Sequence, residues 1–300
     1  MRIVLIGAGG QLAGDLQVAL RAETIVPLTH AEIEITEAAS VGRALEEHRP
    51  DVVVNTAAYH RVDECEAEPE RAFQVNALAT LTLARACRAC GAALVHFSTD
   101  YVFGGEQTQP YAETDLPRPL NVYGASKLAG EHLVRAALER HFVIRTCGLY
   151  GRGGSRSKGG NFVETVLRLA ARGEPIRVVS DQVVTPTGTA GLAQKVSQLI
   201  RTEAYGLYHI TDHGSCSWYE FARALLDLAG VRADVQAICS GALGAAARRP
   251  PYSVLWNRRL ETLGLDDMPD WGASLRRYLA ERPTAPPSRP EGMARPGSEP

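Results

Sequence analysis

The opening stretch, MRIVLIGAGGQLAGDLQVAL, constrains the fold more than any other part of the chain. An apolar run of strand length meets a cluster of glycines and then a helical repeat, the beginning of a βαβ unit. The rhythm recurs. RIVLIG, TIVPLT, DVVVNT, ALVHFST and FVIRT read as buried strands, with QLAGDLQVALRA, ASVGRALEEHR, PERAFQVNALATLTLARACRA and NVYGASKLAGEHLVRAALER as helices between them. Strands and helices alternating at this spacing predict an α/β fold of Rossmann type, a doubly wound parallel sheet with its ligand crevice at the strand carboxyl ends. After Tyr150 the rhythm loosens. A glycine-rich basic loop, GRGGSRSKGGN, leads into FVETVLRLAARG, IRVVSDQVVTPT, TAGLAQKVSQLIRT, GLYHIT and SWYEFARALLDLAG. These C-terminal segments predict a smaller α/β lobe interleaved with the sheet.

The glycine turn bears on chemistry. Gly7 supplies a tight turn, Gly10 allows the backbone to approach a pyrophosphate, and the small Ala13 lets the helix pack closely on the strand. The helix N-terminus beyond it offers free N–H groups and the positive end of a dipole. The turn is expected to hold a dinucleotide, NADPH or NADH. An acid at the tip of the second strand would select NADH, but Leu28, Thr29 and His30 stand there, and Glu32 and Glu34 come slightly late. The nicotinamide preference stays open. Small residues in Asn55-Thr56-Ala57-Ala58 after the third strand suit either a cofactor wall or a plain turn. The expected division is therefore 1–150, with roughly 181–212, as dinucleotide-binding domain, 151–180 and 213–282 as an interleaved substrate lobe, and 283–300 as a disordered tail rich in Pro, Ser and Gly.

Other classes are disfavoured. The net charge of -2 gives no basic excess for nucleic acid, and no stretch of about 18 apolar residues could span a bilayer. The N-terminal apolar run is too short for a signal peptide. Six cysteines are scattered without a disulfide framework, and Cys87-Arg-Ala-Cys90 lies inside a helical run, so they are expected to be reduced and the protein cytoplasmic. Eight histidines show no ligand spacing, so no catalytic metal is expected. Trp218 and Trp271 read as core, and Trp256 as either core or site border.

Ser98-Thr99-Asp100 ends the fourth strand, where an open α/β sheet keeps its ligands. Tyr123 and Lys127 share one helix face at i and i+4. A free phenol titrates near ~10, and a nearby ammonium lowers that value by favouring phenolate. Tyr123 is thus expected to pass a proton to or from a carbonyl oxygen as hydride moves at the carbon, with Thr99 hydrogen-bonding that oxygen.

GxxGxxA, NTAA, STDYVFGG and YGASK, in that order, resemble the extended short-chain dehydrogenase/reductase superfamily. GGQLAGDL, NTAAYHRVDECEAEP, HFSTDYVFGG, ETDLPRPLNVYGASKLAGE, GNFVETVLRLAARG, VSDQVVTPT and RRPPYSVL are more narrowly similar to the dTDP-4-dehydrorhamnose reductase family, from Met1 to about Arg282. The resemblance implies NAD(P)H-dependent reduction of the 4-keto group of a dTDP-6-deoxyhexose, most simply dTDP-4-dehydro-L-rhamnose to dTDP-L-rhamnose. It implies Tyr123 as proton donor, Lys127 on the nicotinamide ribose, and Thr99 and Asp100 on the sugar. Gln11 and Leu12 would line the pyrophosphate turn, Glu34 and Ile35 the adenine, and Ala57, Ala58 and Tyr59 the far side of the cofactor. Asn161, Gln182 (within Asp181 to Thr187) and Arg249 (within Arg249 to Ser253) would hold the nucleotide-sugar. A homodimer is compatible with it.

The chain departs from the family's pattern. RTCGLYG puts Gly148 where the family shows tryptophan, so the sugar pocket is expected to be enlarged or re-sealed. Alternatives follow: a reductase or epimerase of a different nucleotide-activated keto-sugar, or a non-catalytic subunit similar to the regulatory subunit of S-adenosylmethionine synthetase. The intact Thr99, Tyr123 and Lys127 favour chemistry.

Overall fold

The computed structural model describes residues 1–152 and 160–282. Most of the glycine-rich loop (153–159) and the tail expected to be disordered (283–300) lie outside the described residues. The chain runs β1 (Arg2–Ile6), α1 (Gln11–Ala19), β2 (Thr24–Leu28), α2 (Ala38–His48), β3 (Val52–Asn55), α3 (Val62–Ala67) and α4 (Pro69–Phe73). A π-turn over Gln74–Leu78 joins α4 to α5 (Ala79–Cys90), followed by β4 (Ala93–Thr99), α6 (Val122–Ala137), β5 (His141–Thr146) and β6 (Leu149–Tyr150). Beyond the loop come α7 (Phe162–Ala171), β7 (Ile176–Val179), β8 (Val183–Val184), β9 (Thr187–Gly188), α8 (Thr189–Leu199) and β10 (Gly206–His209). The last elements are β11 (Cys216–Ser217), α9 (Trp218–Ala229), β12 (Val235–Ile238), α10 (Arg258–Thr262) and α11 (Trp271–Glu281).

Six parallel strands form the main sheet in the order β10-β5-β4-β3-β1-β2. Strands apolar on both faces need cover on both faces, and the helices supply it. Ile3 and Leu5 of β1 pack with Leu12, Leu16, Leu192 and Val196 from α1 and α8. Val4 and Ile6, pointing the other way, pack with Leu45, Leu83 and Val134 from α2, α5 and α6. Each such fully buried side chain stabilises the fold by about 1.5–3 kcal/mol.

The first half thus builds the parallel layered sheet that its alternation predicts. A second apolar core lies outside the sheet. There α7, α9 and α11 surround the parallel pair β7–β12, burying Val163, Val166, Ile176, Phe221, Leu225 and Leu275. Trp218 and Trp271 pack against this core, Trp218 at 4.7 Å from Phe162 between ring centroids. Trp256 is exposed and donates to Glu261 at 2.8 Å. Smaller pairings lie outside the six-stranded sheet. β8 bonds to residues 251 and 253 (Val183 N to Pro251 O at 2.8 Å, Ser253 N to Val183 O at 3.0 Å), and β6 pairs with β9.

Candidate active site

The cofactor end is built by the turn after β1. Gly7 has a φ of +80°, a left-handed conformation that only glycine adopts freely. Its N–H and that of Ala8 both donate to Leu28 O, pinning the turn to the tip of β2, and Gly10 N donates back to Gly7 O at 2.9 Å. A Cβ at Gly7 would stand 2.7 Å from Thr56 Oγ1, so the concavity exists because no side chain fills it. The first turn of α1 has no side-chain cap and presents its N–H groups for an anion. These features fit a dinucleotide pyrophosphate.

Beside the turn lies a cavity of about 720 Å³, a size suited to a small-molecule ligand. Gly7, Glu34, Ile35, Ala57, Ala58 and Tyr59, all expected from the sequence, line it together with Thr29, His30 and Arg71. Gly10 and Gln11 form the turn and helix start, where Gln11 Nε2 donates to Leu149 O at 3.1 Å, while Leu12 is buried in the apolar core. Asn76, in the π-turn, brackets Tyr59 by accepting from its N–H and donating to its carbonyl, both at 2.9 Å. The same Nδ2 donates to Ser126 Oγ on α6 at 3.0 Å, so this wall is fastened to the helix that carries Tyr123 and Lys127. Glu32 folds back to the β2 tip, accepting from Thr29 N–H at 2.6 Å and Thr29 Oγ1 at 2.8 Å. Those bonds hold its carboxyl below the usual range and put an acid beside a strand tip that carries none in sequence.

The residues expected to be catalytic converge on the carboxyl end of β4. Asn121 caps α6 by accepting from Gly124 N–H at 2.8 Å, starting the helix just before Tyr123. Thr99 accepts from Tyr101 N–H at 3.2 Å and donates to Asp100 Oδ1 at 3.0 Å. Its hydroxyl also bonds the Tyr123 phenol, favouring phenolate. Burial, with the Asp100 charge behind it, pushes that phenol well up nonetheless. Lys127 is buried and drawn down to about 8 by desolvation, with the Glu131 charge working against the shift. The hydrogen bond that Lys127 makes is to His96 Nε2, at 3.2 Å.

Asp100 is buried and pushed up by desolvation against three stabilising donors: Ser253 Oγ at 2.6 Å, Cys147 Sγ at 3.1 Å and Thr99. Ser253 links the second lobe directly to the β4 end. Arg249 pairs with Asp63 at 2.7 Å and bonds the Tyr101 hydroxyl, whose ring meets that of Tyr123 edge-on at 6.0 Å. Gln182 is buried just before β8, the strand bonded to Pro251 and Ser253. Asn161 is used differently. Its Oδ1 caps α7 by accepting from Glu164 N–H at 3.0 Å, and its Nδ2 donates to Gly151 O at 3.1 Å, so its side chain is committed to the fold.

Gly148 has a φ of +55°, and a Cβ there would stand 3.1 Å from Pro186 Cα and 3.2 Å from Trp218 Cη2. A side chain at this position would therefore meet Pro186 and Trp218. Sequence reasoning passed over His96, Cys147 and Asn76. The available signal for His96 was its place, with Ser98, inside a central strand that is otherwise apolar, because a polar group buried there needs a partner.

The sequence profile for the RmlD substrate binding domain matches residues 1–283. The chain belongs to the RmlD substrate binding domain family. RmlD-type relatives resemble it over nearly their whole lengths. A dTDP-4-dehydrorhamnose reductase of Streptomyces griseus is 40% identical, with 91% of each chain covered. A dTDP-4-keto-6-deoxy-D-glucose reductase of Streptomyces niveus is 37% identical, covering 91% of this chain and 95% of the relative. The crystal structure of a dTDP-4-dehydrorhamnose reductase from Bacillus anthracis in complex with NADP is 39% identical, with a TM-score of 0.89 over 93% of this chain and 99% of that one. The family match spans both the six-stranded sheet and the second core. Among the described residues no helix is long and apolar enough to cross a membrane.

Proposed function

We propose that the chain reduces the 4-keto group of a dTDP-4-keto-6-deoxyhexose, converting dTDP-4-dehydro-L-rhamnose to dTDP-L-rhamnose. The observation that carries this reading is the gathering of Thr99, Asp100, Tyr123 and Lys127 at the carboxyl end of β4, beside a glycine cradle that fits a dinucleotide. NADH or NADPH, when bound, supplies the hydride. Gly7, Gly10, Gln11 and Leu12 form the turn that receives the pyrophosphate, and Glu34, Ile35, Ala57, Ala58 and Tyr59 the wall for the rest of the cofactor. Tyr123 gives its phenolic proton to the keto oxygen, Thr99 holds that oxygen, and Lys127 replaces the tyrosine's proton. Asp100 positions the sugar from its three-donor nest, while Arg249 and Gln182 belong to the nucleotide side and Asn161, its side chain used in capping α7, supports that side only through the fold. On this reading 1–150 with roughly 181–212 is the dinucleotide-binding domain and the remaining segments to 282 are the substrate lobe. The six free cysteines suit the cytoplasm as its compartment.

The test follows absorbance loss of NADH and of NADPH with enzymatically generated dTDP-4-keto-L-rhamnose, wild type beside Tyr123→Phe. Turnover that falls by roughly a hundredfold or more in the variant supports the general-acid role. Cofactor binding without consumption would sink the reading.

One observation favours a second substrate. Gly148, with Trp218 against it, follows Cys147, the partner of Asp100, so dTDP-4-keto-6-deoxy-D-glucose belongs in the same assay. Faster turnover of that sugar would move the assignment to it.

A further inference from the structure

Three polar side chains form a chain of contacts running from the sheet to the catalytic helix. Asn55 at the end of β3 stands opposite His96 in the register of β4, and Lys127 reaches His96 from α6. Asn55 and His96 are each 1% exposed and Lys127 2%, so water does not settle their hydrogen bonds. The bookkeeping of donors and acceptors does. The backbone N–H of Ala57 donates to Asn55 Oδ1 at 3.0 Å, which fixes the amide and turns Nδ2 toward His96 Nδ1 at 3.4 Å. An amide nitrogen offers only hydrogens, so Nδ1 is the acceptor of the ring. A neutral imidazole then carries its hydrogen on Nε2, which stands 3.2 Å from Lys127 Nζ. That bond requires a lone pair on the lysine. An ammonium would face an N–H instead of an acceptor.

We propose that His96, locked by Asn55 as its Nε2–H tautomer, is a positioning residue that keeps Lys127 ready to give up its proton rather than standing as a fixed cation. The proposal rests on the reading of Lys127 as the partner of Tyr123. After Tyr123 gives its proton to the keto oxygen, the phenolate recovers a proton that originates on the Lys127 ammonium, whose amine points to His96 and not to the phenol. A lysine N–H bond breaks, the tyrosine O–H bond re-forms, and the His96 N–H donates to the lone pair left on Nζ. A proton drawn from bulk solvent between turnovers restores the ammonium and balances the proton delivered to the keto oxygen. Burial of Lys127 pulls in the same direction, toward the amine.

Other groups face the pair. Glu131, one turn along α6, favours the ammonium, but its carboxylate is held by Arg145 at 2.6 Å and Ser98 at 2.5 Å. Tyr123 faces Asp100 and Cys65 on its other side. His96 is pushed far down first of all by burial, which by itself keeps its ring neutral beside an uncharged Lys127.

The deciding measurement is the NMR spectrum of the full chain labelled with 15N-histidine, recorded from about pH 6 to about pH 9, the span over which an ordinary imidazole loses its charge. The expected result is a neutral, Nε2-protonated His96 throughout. In Asn55→Asp, one carboxylate oxygen still accepts from Ala57 N–H while the other draws the ring hydrogen onto Nδ1. Nε2 then becomes an acceptor and the ammonium is favoured. The tautomer should flip, and the basic limb of the kcat/KM profile should rise by about one pH unit or more. His96→Leu removes the opposing N–H and should raise the same limb by less. It carries the test if Asn55→Asp does not fold, with the pH dependence of NADH binding by fluorescence as a second readout. A wild-type His96 protonated on Nδ1, a charged ring, or a limb that stays put or falls in the variants overturns the proposal. The spectrum needs no turnover, so it judges the pairing even if no keto-sugar is reduced, and a wrong tautomer leaves the proposed reaction standing.

Discussion

Two buried charges sit one turn apart on α6 and are treated in opposite ways. Glu131 meets Arg145 through two bonds, at 2.9 and 2.6 Å, and accepts from Ser98 at 2.5 Å. Arg145 in turn lies 5.1 Å from the Phe103 ring centroid and 3.4 Å from His209 Nε2. Lys127 is buried as deeply, yet the hydrogen bond it makes is to a neutral imidazole. Burial costs both groups their hydration. One is repaid by a partner of opposite charge, and the other stays unstable as a cation, the condition of a group that must exchange a proton. The difference between a structural and a chemical charge here lies in the partner supplied, not in depth.

Breaking the structural pair has the largest expected effect. Arg145→Leu leaves Glu131 buried without its partner and should lower the unfolding free energy by about 3–5 kcal/mol in urea denaturation. A loss below about 1 kcal/mol would show that the pair contributes no more than a surface bridge. The chemical side is broken by Lys127→Met, which removes a poorly satisfied ammonium while keeping its volume. Turnover should fall roughly a hundredfold or more while the melting temperature stays level or rises. A marked fall in stability would erase the contrast.

Asp212, just beyond β10 at the edge of the main sheet, sharpens the comparison. Its carboxylate accepts from Gly188 N–H at 3.0 Å, but burial pushes it up to about 6 from the ordinary 3.8. A raised acid favours folding while protonated. That contribution is present below about pH 4 and is lost as pH climbs through about 6. Asp212→Asn should therefore be close to neutral at pH 4 and more stable than wild type by about 2 kcal/mol at pH 7, read from denaturation at both values. Equal effects at the two pH values would remove Asp212 from the account. The smallest change is expected at the surface. Glu32→Gln removes the carboxylate held at the β2 tip and should shift the ratio of NADH to NADPH affinity severalfold toward NADPH. An unchanged ratio would place the discriminating group elsewhere.

Much of the frame is legible in the sequence because its signals are local. A run such as RIVLI followed by glycines declares strand and turn within a few residues, and Tyr123 and Lys127 share a face because helix period alone decides it. The polar support behind them is not local. Asn55 and His96 meet through the pairing of β3 with β4, and Ser253 reaches Asp100 through the stitching of residues 251–253 onto β8. No spacing rule announces such contacts. Lys127 illustrates the limit: YxxxK suggests an ammonium that tunes the tyrosine, whereas the fold turns the amine toward His96 and leaves the phenol to burial, Asp100 and Thr99. Asn161 reads as a nucleotide contact by resemblance, yet its side chain closes a helix cap. Glu32 lies too late in sequence for the β2 tip but is carried back to it by a short turn.

The meeting of Asp100, Cys147 and Ser253 at one carboxylate has a consequence in time. As the chain leaves the ribosome, the glycine cradle, Thr99 and the tyrosine–lysine pair emerge first. Asp100 then waits with part of its nest missing until Ser253 arrives. A half-made or truncated chain can carry every motif of the first half and still lack the finished pocket, so the order of synthesis itself delays the chemistry until the protein is nearly complete.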